Sequence, residues 1–193
     1  MTCIVGIKHN NLITIGGDSA GVAGLDLEVR ADEKVFSKLD EHNNEWLFGF
    51  TSSFRMGQLI RYALELPDIS EVDLEDEEDI NKFMVVSFVD SIRKCFEKKG
   101  WLRTKADREY GGAFVVGVKG RLFVIEDDFQ VAIPASGFTA VGCGEMQALG
   151  SLYTTEVLSK PVDSKKRAQL ALEAAEAYSG GVRSPFVIMR GAK

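Results

Sequence analysis

The order in which strand-like and helix-like patterns succeed one another constrains this chain most. Short β-branched runs at 4–8 and 12–15 flank His9-Asn10-Asn11, and a third run covers 46–50. Asparagine tolerates the positive φ of a tight turn, so the first two runs read as a hairpin. Helical spacing then appears twice. Thr51-Ser52-Ser53 can cap a helix running to Leu66, just before Pro67. Ile80, Phe83, Met84, Phe88, Ile92, Cys95 and Phe96 form a second apolar stripe that ends at Lys98-Lys99-Gly100. Strand-like runs follow at 113–118, 122–126 and 130–133. Helices come next at 145–158 and 163–177, the latter capped by Asp163, and a last strand lies at 186–189. Groups of strands separated by helix pairs exclude a regular βαβ repeat, and with it a doubly wound parallel sheet. Two antiparallel sheets packed face to face between helix pairs satisfy the order. The expected class is therefore α+β, a four-layer αββα sandwich, with residues 1–193 as a single domain.

Composition removes several functions. A net charge of −6 argues against nucleic acid, which needs a basic face. The longest apolar runs are too short to cross a bilayer, and no basic-then-apolar leader precedes Thr2. Three scattered cysteines, Cys3, Cys95 and Cys143, suit a reducing compartment and offer no zinc spacing. A cytoplasmic protein without metal or cofactor is the expectation. The acidic stretch at 71–79 lacks the glycine and ligand spacing of a calcium loop. It reads as a solvated segment that feeds carboxylates into a helix N-terminus.

Nucleophilic chemistry is difficult for a chain with two histidines, both in polar turn-like segments. Thr2 offers a route. Once Met1 is removed, Thr2 carries a hydroxyl nucleophile and a free α-amine on one residue. That amine titrates at about 7.7–8.0 when unperturbed, so a usable fraction is neutral near pH 7. A neighbouring ammonium favours the neutral amine, and a carboxylate holds the ammonium in place. Asp18 lies sixteen residues after Thr2, and Lys34 sixteen after Asp18. Alone, Asp18 reads as a turn residue and Lys34 as a surface lysine. Together with Thr2 they read as nucleophile, lysine anchor and electrostatic tuner.

The spacing resembles the proteasome β-subunit and HslV-type peptidase family of N-terminal nucleophile hydrolases. Gly16-Gly17-Asp18 and Lys34-Val35 match its Gly-Gly-Asp turn and Lys-Val pair. Glu176-Ala177-Tyr178-Ser179-Gly180-Gly181 is similar to its Asp-Ala-Tyr-Ser-Gly-Gly segment, and Val141-Gly142-Cys143-Gly144 stands where it has Gly-Ser-Gly. The resemblance implies the same αββα fold and peptide-bond hydrolysis through an ester on Thr2. It gives supporting roles to Glu176, Ser179 and Cys143, and makes the Ser52 N–H an oxyanion donor. Gly21, Asp32, Phe36, Phe50 and Phe54 would surround the substrate. Glu176 and Cys143 depart from the family's Asp and Ser, adding a methylene and substituting a weaker hydrogen-bond donor.

A peptide or unfolded polypeptide is the implied substrate and a homo-oligomeric ring the implied assembly; an ATPase partner is left open. Apolar residues on the helices, such as Phe54, Met56, Leu149 and Leu152, exceed what one stripe needs and fit such a ring. Two other readings stand beside the peptidase: a silent scaffold subunit lacking a free Thr2 amine, and an amidase of small amides.

Overall fold

The computed structural model describes residues 1–157 and 161–193. Its strands begin with β1 (Cys3–His9), β2 (Leu12–Gly17), β3 (Ala20–Ala23), β4 (Asp26–Val29), β5 (Val35–Leu39) and β6 (Glu45–Phe50). Helices α1 (Phe54–Tyr62), α2 (Glu77–Phe83) and α3 (Val89–Lys98) follow, the last two joined by a π-helical turn at Met84–Phe88. Next come β7 (Arg103–Lys105), β8 (Arg108–Tyr110), β9 (Phe114–Val118), β10 (Arg121–Ile125), β11 (Val131–Ala132) and β12 (Phe138–Gly142). The chain continues through α4 (Glu145–Glu156) and α5 (Ser164–Tyr178) to β13 (Val187–Gly191).

Among the described residues, a four-stranded sheet has the order β12-β1-β2-β13 and a five-stranded sheet the order β11-β10-β9-β6-β5. Every pairing in both is antiparallel. Strand alternation divides the core. Ile4, Ile13 and Ile15 of the first sheet meet Leu47, Val115 and Leu122 of the second. Cys3, Val5 and Ile7 point the other way, onto Leu152 of α4 and Leu172 of α5. Trp46, Phe48 and Phe114 likewise point outward, onto residues of α1, α2 and α3. Buried on both faces, the central strands read as continuous apolar runs rather than alternating ones. Glycine brings the sheets together: a Cβ on Gly49 would lie 2.6 Å from Ile4, and one on Gly117 would lie 2.5 Å from Ile13.

The hairpin at 9–12 forms as expected, with Asn10 and Asn11 at φ 48° and 58°. Asp76 caps α2, and Glu77, Glu78 and Asp79 fill its first turn, where the helix dipole favours carboxylates. The π-helical turn lets Phe83 and Phe88, five residues apart, both face the sheet. Phe88 stacks on Trp46 with centroids 5.3 Å apart. Helix α1 stops at Tyr62, short of Leu66, because Ala63 and Leu64 both donate to the Leu59 carbonyl. The end expected at Leu158 lies outside the described residues.

Four features are additional to the sequence reading: the β3–β4 and β7–β8 hairpins, and strands β5 and β12. Helix apolarity also needs correcting. Met56 and Leu152 are fully buried, while Phe54 and Leu149 pack against the core, so none of them is surplus surface. The exposed apolar side chains are others, including Leu25, Tyr62, Met146 and Tyr178. No helix among the described residues is long and apolar enough to cross a membrane.

Candidate active site

Asp18 follows β2 of one sheet and Lys34 precedes β5 of the other, so the packing of the two sheets brings these strand ends together. Lys34 Nζ donates to Asp18 Oδ1 at 2.8 Å, with both side chains shut off from solvent. The same carboxylate accepts three backbone N–H groups, from Cys3 at 3.0 Å, Ala20 at 2.9 Å and Arg183 at 3.2 Å. It is therefore fixed independently of the lysine. Burial pushes the Lys34 ammonium below the usual lysine pKa, and Asp18 pulls it back up. Burial and the Asp18 charge push the Cys3 thiol up to about 12, so it stays neutral beside the pair.

Thr2 enters β1 almost fully buried. Its backbone N–H donates to Cys143 Sγ at 3.3 Å, and Ser179 Oγ donates to the same sulfur at 3.4 Å. Its carbonyl accepts from Gly144 N at 3.4 Å and leaves no room for a Cβ on Gly142, whose φ of 103° only glycine adopts readily. With Met1 attached, the Thr2 nitrogen is an amide, and the Thr2 hydroxyl donates to the Met1 carbonyl. The Met1 and Cys143 side chains both lie against Gly181, where a Cβ would meet them at 2.5 and 2.7 Å.

A cavity of about 320 Å³ opens over this cluster, lined by Thr2, Lys34, Gly21, Phe50, Ser52 and Phe54 among others. Ser52 holds φ 67°, locked by its Oγ accepting from Ala113 N at 3.1 Å, and its own N–H bonds to no group among the described residues. Three of the expected residues lie elsewhere. Phe36 is in the core, stacked on Phe48 at 5.4 Å and covered by Phe50 and the Arg61 guanidinium. Asp32 is exposed and paired with Arg30 at 2.7 Å. Glu176 accepts from the Ser184 N–H and hydroxyl at 2.9 and 3.0 Å, and makes no hydrogen bond to Thr2 or Ser179 among the described residues. Arg30, which the sequence reading passed over, lines the cavity with its guanidinium 4.1 Å from the centre of the Phe54 ring. Only its sequence closeness to Lys34 pointed to it. No group of three His, Cys, Asp or Glu side chains among the described residues could hold a metal ion.

No protein-family profile and no curated protein matches the chain. Solved structures do match, and what they share with this chain is the overall fold. The chain superimposes on Thiobacillus denitrificans BPH in complex with epoxomicin with a TM-score of 0.75 at 16% identity, covering 97% of each chain. HslV from Trypanosoma brucei gives a TM-score of 0.64 at 14% identity, covering 97% of this chain and 98% of the other. Anbu (ancestral beta-subunit) from Yersinia bercovieri gives 0.65 at 14% identity, covering 99% and 81%. At these identities the likeness is one of fold.

Proposed function

We propose that this protein is a proteasome-like threonine peptidase whose nucleophile is Thr2, released by cleavage of the Met1–Thr2 bond. The observation that carries the reading is the buried Lys34–Asp18 pair at the base of a cavity that Thr2 also lines. The freed Thr2 amine takes the proton from its own hydroxyl, and Oγ1 attacks the carbonyl carbon of a peptide bond. The Lys34 charge keeps that amine from holding a proton too tightly. The N–H of Ser52 faces the developing oxyanion. Expulsion of the leaving amine, which takes up that proton, leaves an ester on Thr2. Water then hydrolyses the ester and restores the hydroxyl. Cys143 and Ser179 position the Thr2 nitrogen. Glu176 acts at one remove, by holding the Ser184 turn that follows the Arg183 donor to Asp18.

On this reading residues 1–193 form one domain, a four-layer αββα sandwich, working in the cytoplasm as a homo-oligomeric ring. Exposed Leu25, Met146, Tyr153 and Tyr178 are candidates for the contacts between subunits. A second reading, a silent scaffold subunit, holds where Met1 is retained, since the Thr2 nitrogen is then an amide and the Thr2 hydroxyl is engaged by the Met1 carbonyl. Intact mass of the purified protein separates the two, since only loss of Met1 frees the amine. Hydrolysis of a panel of peptides and small amides by the processed protein, abolished by Thr2→Ala, then tests the peptidase reading directly.

A further inference from the structure

A second cavity, of about 370 Å³, shares Ser52 and Ser53 with the one over Thr2 and continues it on the far side of that turn. Its size falls within the range of about 300–1,000 Å³ typical of ligand clefts. Trp101 and Tyr110 wall it, and Gly111 and Gly112 form a floor without side chains. Arg103 and Lys105 project into it from β7, whose three residues are all exposed. The Arg103 guanidinium lies 4.7 Å from the centre of the Trp101 ring, and Trp101 is itself held by its indole N–H on the Gly111 carbonyl at 2.6 Å. Neither Arg103 nor Lys105 forms an ion pair among the described residues, in a chain whose net charge is −6. Asp127 is the one carboxylate in the lining.

We propose that this cleft is an extended substrate subsite that selects an acidic side chain a few residues from the scissile bond. The inference rests on the peptidase reading for its substrate and on its own geometry for the charge preference. The Ser52 turn links the two halves mechanically: Ser52 Oγ accepts from Ala113 N, and Thr51 N donates to the Ala113 carbonyl at 3.2 Å. The glycine floor is thus tied to the residue that faces the oxyanion. A peptide in extended conformation crossing Ser52 runs onto the floor with its side chains between the aromatic wall and the two cations. A carboxylate there meets an arginine fork already oriented by stacking, which favours bidentate pairing. A lysine there meets two like charges.

Two measurements test this. Fluorescence anisotropy on the Thr2→Ala protein follows binding of labelled hexapeptides that differ only in carrying Glu, Gln or Lys at the flanking positions. The Glu peptide should bind at least tenfold more tightly than the Lys peptide, and the gap should shrink as salt is raised. The double variant R103Q/K105Q, altered only at exposed positions, should lose the gap. Cleavage of the same peptides by the processed wild-type protein should show the same order in kcat/KM. Equal affinities for the three peptides overturn the subsite, as does a preference that survives R103Q/K105Q. A charge preference in binding without any cleavage keeps the subsite and rejects the peptidase. Cleavage without charge preference does the reverse.

Discussion

Asp18 and Lys34 form an ion pair 2.8 Å long from which solvent is excluded, but the two partners are not equally dependent on each other. Asp18 has three backbone N–H donors besides the lysine, whereas the Lys34 ammonium donates to Asp18 alone among the described residues. Removing the carboxylate strands a buried cation. Removing the lysine leaves a carboxylate that is still solvated by amides. Asp18→Ala should therefore cost about 3–5 kcal/mol, and Lys34→Met distinctly less. Denaturant unfolding of the two variants measures the difference, and the reverse order would contradict it.

The same pair sets the pH dependence of the proposed reaction. Catalysis needs the Thr2 amine neutral and Lys34 charged. The rate should rise as the amine loses its proton, then fall as Lys34 loses its own. Because burial lowers the Lys34 pKa, that fall should come below the usual lysine range of about 10.4. In Lys34→Ala the alkaline limb should vanish, the acid limb should move to higher pH, and kcat/KM should drop by orders of magnitude. A pH–rate profile that overlays the wild type would remove Lys34 from the mechanism.

If Thr2 is the nucleophile, as proposed, epoxomicin, the ligand of the Thiobacillus denitrificans structure, offers a test of it. Processed protein should gain the mass of one inhibitor per chain, and Thr2→Ala should gain none. Modification that persists in Thr2→Ala would place the nucleophile elsewhere.

Glu176 should matter less than its place in the motif implies. Its carboxylate is occupied by Ser184, so Glu176→Gln, which keeps an acceptor oxygen, should lower kcat/KM by less than about tenfold. A loss as large as that of Lys34→Ala would mean the carboxylate turns to Thr2 during turnover.

Cys3 gives a stability signature at high pH. Its folded pKa of about 12 lies above the ordinary thiol value of 9.0. A raised pKa means that the folded state holds its proton longer than the unfolded chain. The stabilisation is complete below pH 9 and is lost as pH rises towards 12. By pH 10 this one group should lower stability by about 1 kcal/mol, a slope that Cys3→Ala should remove. Comparing denaturation midpoints at pH 8 and pH 10 gives the answer.

Much of the scaffold was legible because its signals are local. Asn10-Asn11 announced the first hairpin, and the stripe from Ile80 to Phe96 announced the long helix. The β3–β4 hairpin was not legible, because its strands are four residues each and β4, although Asp26-Leu27-Glu28-Val29 alternates, is exposed throughout. Strand β7 is hidden because it is only three residues, all polar and all exposed. At the site, the interval from Thr2 to Asp18 to Lys34 could be read, since chemistry demanded those three residue types together. Phe36 was placed at the substrate by the resemblance, which carries over a position but not its depth. Here the side chain is in the core, with the Phe48 and Phe50 rings against it. Arg30 and Arg103 look like any surface arginine until the fold sets them beside a cavity.

Strand β1 is an interior strand, flanked by β2 and β12. Its register is set by which residues fit between the sheets and which fit beneath the helices: Ile4 in one layer, Val5 in the other. A slip of one residue would exchange the two faces of the strand. Thr2 is thus aimed by hydrophobic packing that no substrate touches. On the proposed reading, substitutions such as Ile4→Ala or Val5→Ala should lower turnover as well as stability, because the position of Thr2 is a property of the core.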